Sequence, residues 1–184
     1  LAFLSVKIGE DVYDYGVYTL IEPIDKEFLK RRFTKDGNDG NLFKSLWQHY
    51  GPAALQPLTD PYAIGIKDES INYRPAYDLK TNKKTYDVSD LLDFIHQINT
   101  LNGSAFQTYI EDHFEVDQFL RLMAVGVLLG NPDDYRAMGN NYFLYHHNLT
   151  DKWIMIPYDY DHGLGQGWDG APVFSNFTIG ADIY

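Results

Sequence analysis

The sequence predicts one α+β domain. Three observations carry that prediction. Strand-like runs bounded by Gly, Asp and Pro occur toward both ends of the chain. Between them lie segments whose apolar residues recur at helical spacing. No internal repeat or low-complexity tract separates the two kinds of segment, so one core shared by helices and strands is the simplest account.

The elements follow in order. Residues 4–8 and 15–24 read as two strands, and the Gly9-Glu10-Asp11 and Asp14-Tyr15-Gly16 turns between them make a hairpin. Pro23 closes the second strand. Asp25 then caps a short helix over 26–33, with Phe28, Leu29 and Phe33 on its apolar side. Residues 36–41 are turn chemistry, 42–47 a strand, and 50–76 an irregular excursion carrying Pro52, Pro57, Pro61 and Pro75. A short strand over 76–80 follows. Asp87 or Ser89 caps a helix to about Asn99, marked by Leu91, Leu92, Ile95 and Ile98. After Asn102-Gly103, a second helix runs from Ser104 to His113. The third, over 116–129, is apolar almost all round and reads as buried; Gly130 ends it and Pro132 prevents its resumption. A polar loop over 131–141 leads to two strands, 142–146 and 152–157, and then to Asp159-Tyr160-Asp161-His162-Gly163. The domain thus spans 1–184, with a hairpin, hinge-like segment and irregular insert over 1–86 and a helical lobe over 87–184.

Composition narrows the function classes. Apolar residues at 45% and charged residues at 22% describe a packed globular chain. The formal net charge of -11 argues against a nucleic-acid partner, which needs a basic surface. With no cysteine, disulfides, thiolate metal sites and a Cys nucleophile are excluded together. No apolar run approaches the roughly 20 residues that cross a bilayer, so no membrane insertion is expected. Leu1 within an apolar run and the Ile183-Tyr184 end read as cuts in a longer protein.

The chemistry gathers in two acidic clusters. Asp133 and Asp134 follow the apolar helix, Asn140 and Asn141 end the same loop, and Asp159 and Asp161 follow the last strand. If the two flanking strands pair, the open end of their hairpin brings these oxygen-bearing side chains together. Hard cations such as Mg²⁺ take such ligands, usually one or two carboxylates with substrate phosphates and water. Asp and Asn also stabilise turns, which is the alternative for each residue taken singly. The order helix, acidic loop, hairpin, acidic turn matches the back half of a protein kinase, where an Asp accepts the hydroxyl proton while an Asn and a second Asp hold the metal.

Other candidates are weaker. His96 lies on a helix face. His146 and His147 are adjacent on a strand and point to opposite sides. His162 has a turn role. Gly163-Leu164-Gly165-Gln166-Gly167 lacks the Gly-Lys-Ser/Thr ending of a phosphate loop and reads as an activation-type segment instead. Ser104 and Ser175 lack a nucleophile-elbow context. Lys30-Arg31-Arg32 is a solvated helix face by default.

Several segments carry a resemblance: Gly16-Val17-Tyr18-Thr19-Leu20-Ile21-Glu22-Pro23-Ile24-Asp25, Gly40-Asn41-Leu42-Phe43-Lys44, Tyr77-Asp78-Leu79-Lys80-Thr81-Asn82, Gly130-Asn131-Pro132-Asp133-Asp134-Tyr135, Asn140-Asn141-Tyr142-Phe143-Leu144-Tyr145, and Lys152-Trp153-Ile154-Met155-Ile156-Pro157-Tyr158-Asp159-Tyr160-Asp161. Together they resemble the CotH kinase family over most of the chain. The resemblance implies an atypical protein-kinase-like fold, here mainly the hinge and C-terminal lobe with the upstream elements missing. It implies phosphoryl transfer to protein Ser/Thr that depends on ATP and on Mg²⁺ or Mn²⁺, and a spore-coat, secreted or surface setting with protein substrates. Carried over by residue, Asp133 is the catalytic-loop acid with Asp134 the close second, and Asn141 and Asp159 are metal ligands, with Asp161 sharing the role. Glu22 to Ile24 lie near the adenine, and Lys44 and Lys80 reach phosphates as point charges. Two other functions remain open: a coat or surface scaffold that binds protein without turnover, and a metal-dependent hydrolase built on the same carboxylates.

Overall fold

The computed structural model describes residues 1–165. Strands β1 (Ala2–Ile8) and β2 (Asp11–Tyr18) pair antiparallel, with a register shift between Leu4 and Ser5. The sequence predicts a second strand reaching Ile24, but β2 stops at Tyr18. Residues 19–24 are irregular because Pro23 offers no N–H, and the exposed Leu20 and Ile21 face no partner strand. The hairpin pairs with no other described strand and exposes apolar residues on both faces, among them Phe3, Val12, Tyr15 and Val17.

Helix α1 (Lys26–Arg32) begins where the sequence predicts. Asp25 Oδ1 accepts from the backbone N–H of Glu27 at 2.9 Å and of Phe28 at 3.1 Å, satisfying two of the orphan donors of the first turn. Leu29 is 0% exposed, a burial worth about 2–3 kcal/mol.

The main sheet joins strands from both halves of the sequence. β3 (Leu42–Ser45), β4 (Ile64–Gly65), β5 (Tyr77–Leu79), β6 (Tyr142–His147) and β7 (Lys152–Pro157) lie in the order β4-β5-β3-β6-β7, antiparallel except for β4 against β5. β3 is shorter than expected: after Ser45 the chain leaves the sheet, and the Trp47 N–H is taken by Asn140 Oδ1 at 3.1 Å. Residues 50–76 are as irregular as their prolines suggest, holding two 3₁₀ turns (Pro61–Ala63 and Glu69–Ile71) and β4.

Because side chains alternate along a strand, the sheet has two faces. Phe43, Tyr77, Leu144, Trp153 and Met155 pack toward α2 (Ser89–Thr100), α3 (Gly103–His113) and α4 (Val116–Leu129). Leu42, Phe143, Tyr145, Ile154 and Ile156 face the other way, under Leu29 of α1. Lys44 shares this second face, opposite the three helices.

Helix α4 departs from expectation. Its composition predicts burial all round, yet among its residues only Gly126 is buried, while Leu120, Val125 and Leu128 are exposed. One side rests on the sheet at β7, with Phe119 against Phe114 and Tyr135; no described element covers the other. Gly130 ends the helix as predicted, with a left-handed φ of 59° and its N–H returned to the carbonyls of Gly126 and Val127. No helix among the described residues is long and apolar enough to cross a membrane.

Candidate functional site

The loop after α4 is built from its own polar side chains. Asn131, 0% exposed, accepts the Asp133 N–H on its side-chain oxygen at 3.2 Å, which turns the chain sharply. Asp134 then caps α5 (Tyr135–Met138), accepting from the N–H groups of Arg136 and Ala137.

This arrangement separates two adjacent acids that the sequence left nearly equivalent. Asp134 is buried and ion-paired at 2.8 Å to Arg136, with side chains only 2% and 7% exposed. The pair packs directly over α4 at Gly126, where an added Cβ would stand 2.7 Å from Asp134 Oδ2. Asp134 is therefore spent on structure. Asp133 is only partly buried. Its Oδ1 accepts from Asn140 Nδ2 at 3.1 Å, and its Oδ2 accepts from Asn141 Nδ2 at 2.8 Å.

The β6–β7 hairpin brings the second cluster alongside. Tyr142 pairs with Pro157, and just beyond that pair the Tyr158 N–H donates to the Asn141 carbonyl at 3.1 Å. Asn141 and Asp159 thus flank the same hairpin end. Both adopt left-handed backbone, with φ of 53° and 56°. Asn and Asp tolerate that region better than other side chains, at some cost in strain.

The charges there interact. The Asp159 carboxyl is pushed above its usual range, first by partial burial and then by Asp161 and Asp133, with Lys44 and His162 opposing. Lys44 reaches the same place from β3: its ammonium lies 4.3 Å from the Tyr158 ring centre, within cation–π range. Its pKa is lowered, chiefly by burial and next by Lys80, while Asp159 holds it up. Lys80 is bound to the carboxylate of Asp78 at 2.6 Å.

A divalent cation fits this donor set. The Asn141 amide spends its N–H groups on Asp133, leaving its Oδ1 on the side away from that carboxylate. Burial first, and then repulsion from Asp161 and Asp133, raise Asp159, and a cation would offset both. Among the described residues no three Asp, Glu, His or Cys side chains are placed to enclose a metal alone. A site with two protein oxygens, completed by water and phosphate, is the arrangement Mg²⁺ favours. Asn141 and Asp159, which flank the same hairpin end, could supply such a pair, and Asp161, exposed, lies two residues on.

The remaining candidates fall elsewhere. Glu22 pairs with Arg31 at 3.2 Å and Arg32 at 2.6 Å, which accounts for the basic run of α1. Ile24 packs against the core under α1. His96 is exposed. His146 and His147 do point to opposite faces: His146 stacks on Trp153 and bonds Asp90 and Asp151, while His147 packs near Phe33. The end of the glycine segment, Gln166-Gly167, and Ser175 lie outside the described residues. Sequence reasoning passed over Asp78, Arg136 and Tyr158. Period-two alternation was a usable signal for the first, since Asp78 and Lys80 must share a strand face.

Comparison with known proteins agrees with the family resemblance of the sequence. The family profile described as "CotH kinase protein" matches residues 2–182. The chain is 26% identical over 163 residues to a Bacillus subtilis protein named inner spore coat protein H. That alignment covers 89% of this chain and 41% of the relative, so the chain spans well under half of that protein's length.

Proposed function

The chain belongs to the CotH kinase protein family, and from that premise we propose that it carries the catalytic acid and metal-binding part of a phosphotransferase acting on protein Ser/Thr. One observation carries this reading: Asp133 is hydrogen-bonded to Asn141 at the hairpin end that Asp159 also flanks. Its partly exposed carboxylate, held in place by Asn140 and Asn141, would accept a proton from a substrate hydroxyl through a remaining lone pair. Asn141 Oδ1 and the Asp159 carboxylate would hold Mg²⁺ or Mn²⁺, which would supply charge to offset that of ATP phosphates. Lys44 adds positive charge beside Asp159, with Lys80 next to it on Asp78, and both would meet phosphate oxygens. Glu22 and Ile24, on the irregular segment before α1, remain the proposed neighbours of the adenine. The fold this implies is kinase-like, centred on the hinge and C-terminal lobe.

The relative's name suggests a setting: a spore coat or cell surface, with coat or surface proteins as substrates. The exposed apolar β1–β2 hairpin favours a second reading, a scaffold that binds protein without turnover.

Calorimetry with ATP, with and without Mg²⁺ or Mn²⁺, separates the two. The phosphotransferase reading expects metal-dependent binding that Asp159→Ala abolishes. A folded wild-type chain that binds ATP identically with and without metal, or identically to Asp159→Ala, overturns it in favour of the scaffold.

A further inference from the structure

A buried carboxylate lies behind the two lysines. Asp78 is 0% exposed in the middle of β5. Its neighbours across the sheet are Gly65 on β4 and Lys44 on β3, and Lys44 in turn pairs with Phe143 on β6. Lys44 and Asp78 are therefore direct cross-strand partners, a placement in which opposite charges normally join. They do not join here. Asp78 Oδ2 takes Lys80 Nζ at 2.6 Å, and its Oδ1 takes the Lys67 N–H at 3.0 Å. The Lys44 ammonium reaches past it to the ring of Tyr158.

Core stability gives no reason for this. A buried ion pair is commonly no better for stability than apolar residues of similar size. What Asp78 achieves is placement. It fixes Lys80, whose side chain stays 30% exposed, on the carboxylate that is also the cross-strand partner of Lys44, and after burial the Lys80 charge is the main influence lowering the Lys44 pKa. It also pins the 66–68 segment, whose Lys67 is itself paired with Glu69. Lys44 reaches toward Asp159 and Lys80 is held on the same sheet face by Asp78, so one polyanion could span the two ammonium groups.

We propose that Asp78 is a positioning residue for a polyphosphate site formed by Lys44 and Lys80, the site that would receive the phosphates of a nucleoside triphosphate in the reading above. It rests on that reading for the nucleotide, but the anion site can be tested by itself. Asp78 touches no ligand. It holds Lys80 at the edge of the sheet face and, by engaging Lys80, leaves Lys44 uncommitted to it.

The test titrates tripolyphosphate, MgATP and adenosine into the wild-type chain, Asp78→Asn, Lys80→Met, Lys44→Met and the Asp78→Asn/Lys80→Met double variant, with thermal unfolding as a folding check. Each single variant should weaken tripolyphosphate and MgATP about tenfold, the size of one charge-assisted hydrogen bond, and leave adenosine unchanged. The double variant should bind no more weakly than the weaker of its two single variants, because Asp78 acts through Lys80. Losses that multiply in the double variant would show a general structural role and overturn the proposal, as would unchanged affinity in a folded Asp78→Asn. If Asp78→Asn does not fold, Lys44→Met leaves the buried pair intact, and unchanged tripolyphosphate affinity in that variant overturns the proposal. Coupled tripolyphosphate binding without any nucleotide binding keeps the anion site and removes the nucleotide reading. MgATP binding that needs Asp159 but none of these residues does the reverse.

Discussion

Replacing Arg136 with Met tests how Asp133 is presented. The Arg136 guanidinium lies 2.8 Å from Asp134 Oδ2 and 3.1 Å from the Asn131 carbonyl, with 7% of its side chain exposed. Met retains most of the aliphatic volume and removes the charge. Asp134, 2% exposed, would keep only the cap donations from two backbone N–H groups, at 2.9 and 3.4 Å. Stranding one member of a buried pair costs about 3–5 kcal/mol, and the surviving cap bonds place this case near the lower figure. At a urea slope of about 2 kcal/mol/M, the unfolding midpoint should fall by roughly 1.5 M. Asp134→Asn in the same background keeps an oxygen for the cap and removes the stranded charge, so it should recover most of the loss. Asp133→Asn, on a partly exposed residue, should cost no more than about 1 kcal/mol. An Arg136→Met shift below about 1 kcal/mol, or a double variant as unstable as the single, would refute the division of labour between the two acids.

Three further outcomes follow. Gly126→Ala, which in an open helix gains about 1 kcal/mol, should here destabilise by about 1–3 kcal/mol, because the new Cβ meets the Asp134–Arg136 pair; denaturant midpoints decide the sign. Burial lowers the His146 pKa, but its bonds to Asp90 and Asp151 outweigh that and leave it raised. Its contribution is therefore full below its unfolded value of about 6.5 and is lost as pH rises through the folded one, so the stability gap between wild type and His146→Gln should shrink from pH 6 toward pH 9; a gap constant with pH contradicts this. Asp25→Ala should cost about 1 kcal/mol by removing the α1 cap, readable as a lower thermal midpoint with no change in metal-dependent nucleotide binding.

What the sequence disclosed was whatever depends on neighbours in the chain. Asp25 caps a helix by reaching two or three residues ahead, and Gly130 with Pro132 stops one by backbone geometry, so both were legible. The α2 period, with Leu91 and Ile95 buried, is equally local. The candidate site was legible because its acids sit at known offsets from one hairpin. Distant pairings were not. β3 has four residues and gains its place only from β5 and β6, which lie far along the chain. Asp133 and Asp134 differ only in which one turns inward to meet Arg136, a choice the loop backbone makes. The apolar side of α4 shows the same limit, since composition tells that a face is apolar and not what lies against it.

The β1–β2 hairpin divides the molecule into parts that need not open together. Two strands alone are marginal in water, and these share no ladder with the five-stranded sheet. Its amide protons should exchange with solvent through a low-energy local opening, long before those of β3 and β6. The Asp133–Asn141 contact and the Tyr158 bond that aligns Asp159 belong to the protected part. A protease that nicks the hairpin would thus leave the acidic cluster standing, while anything that adds a third strand to an open hairpin edge would stiffen this segment without touching the chemistry below it.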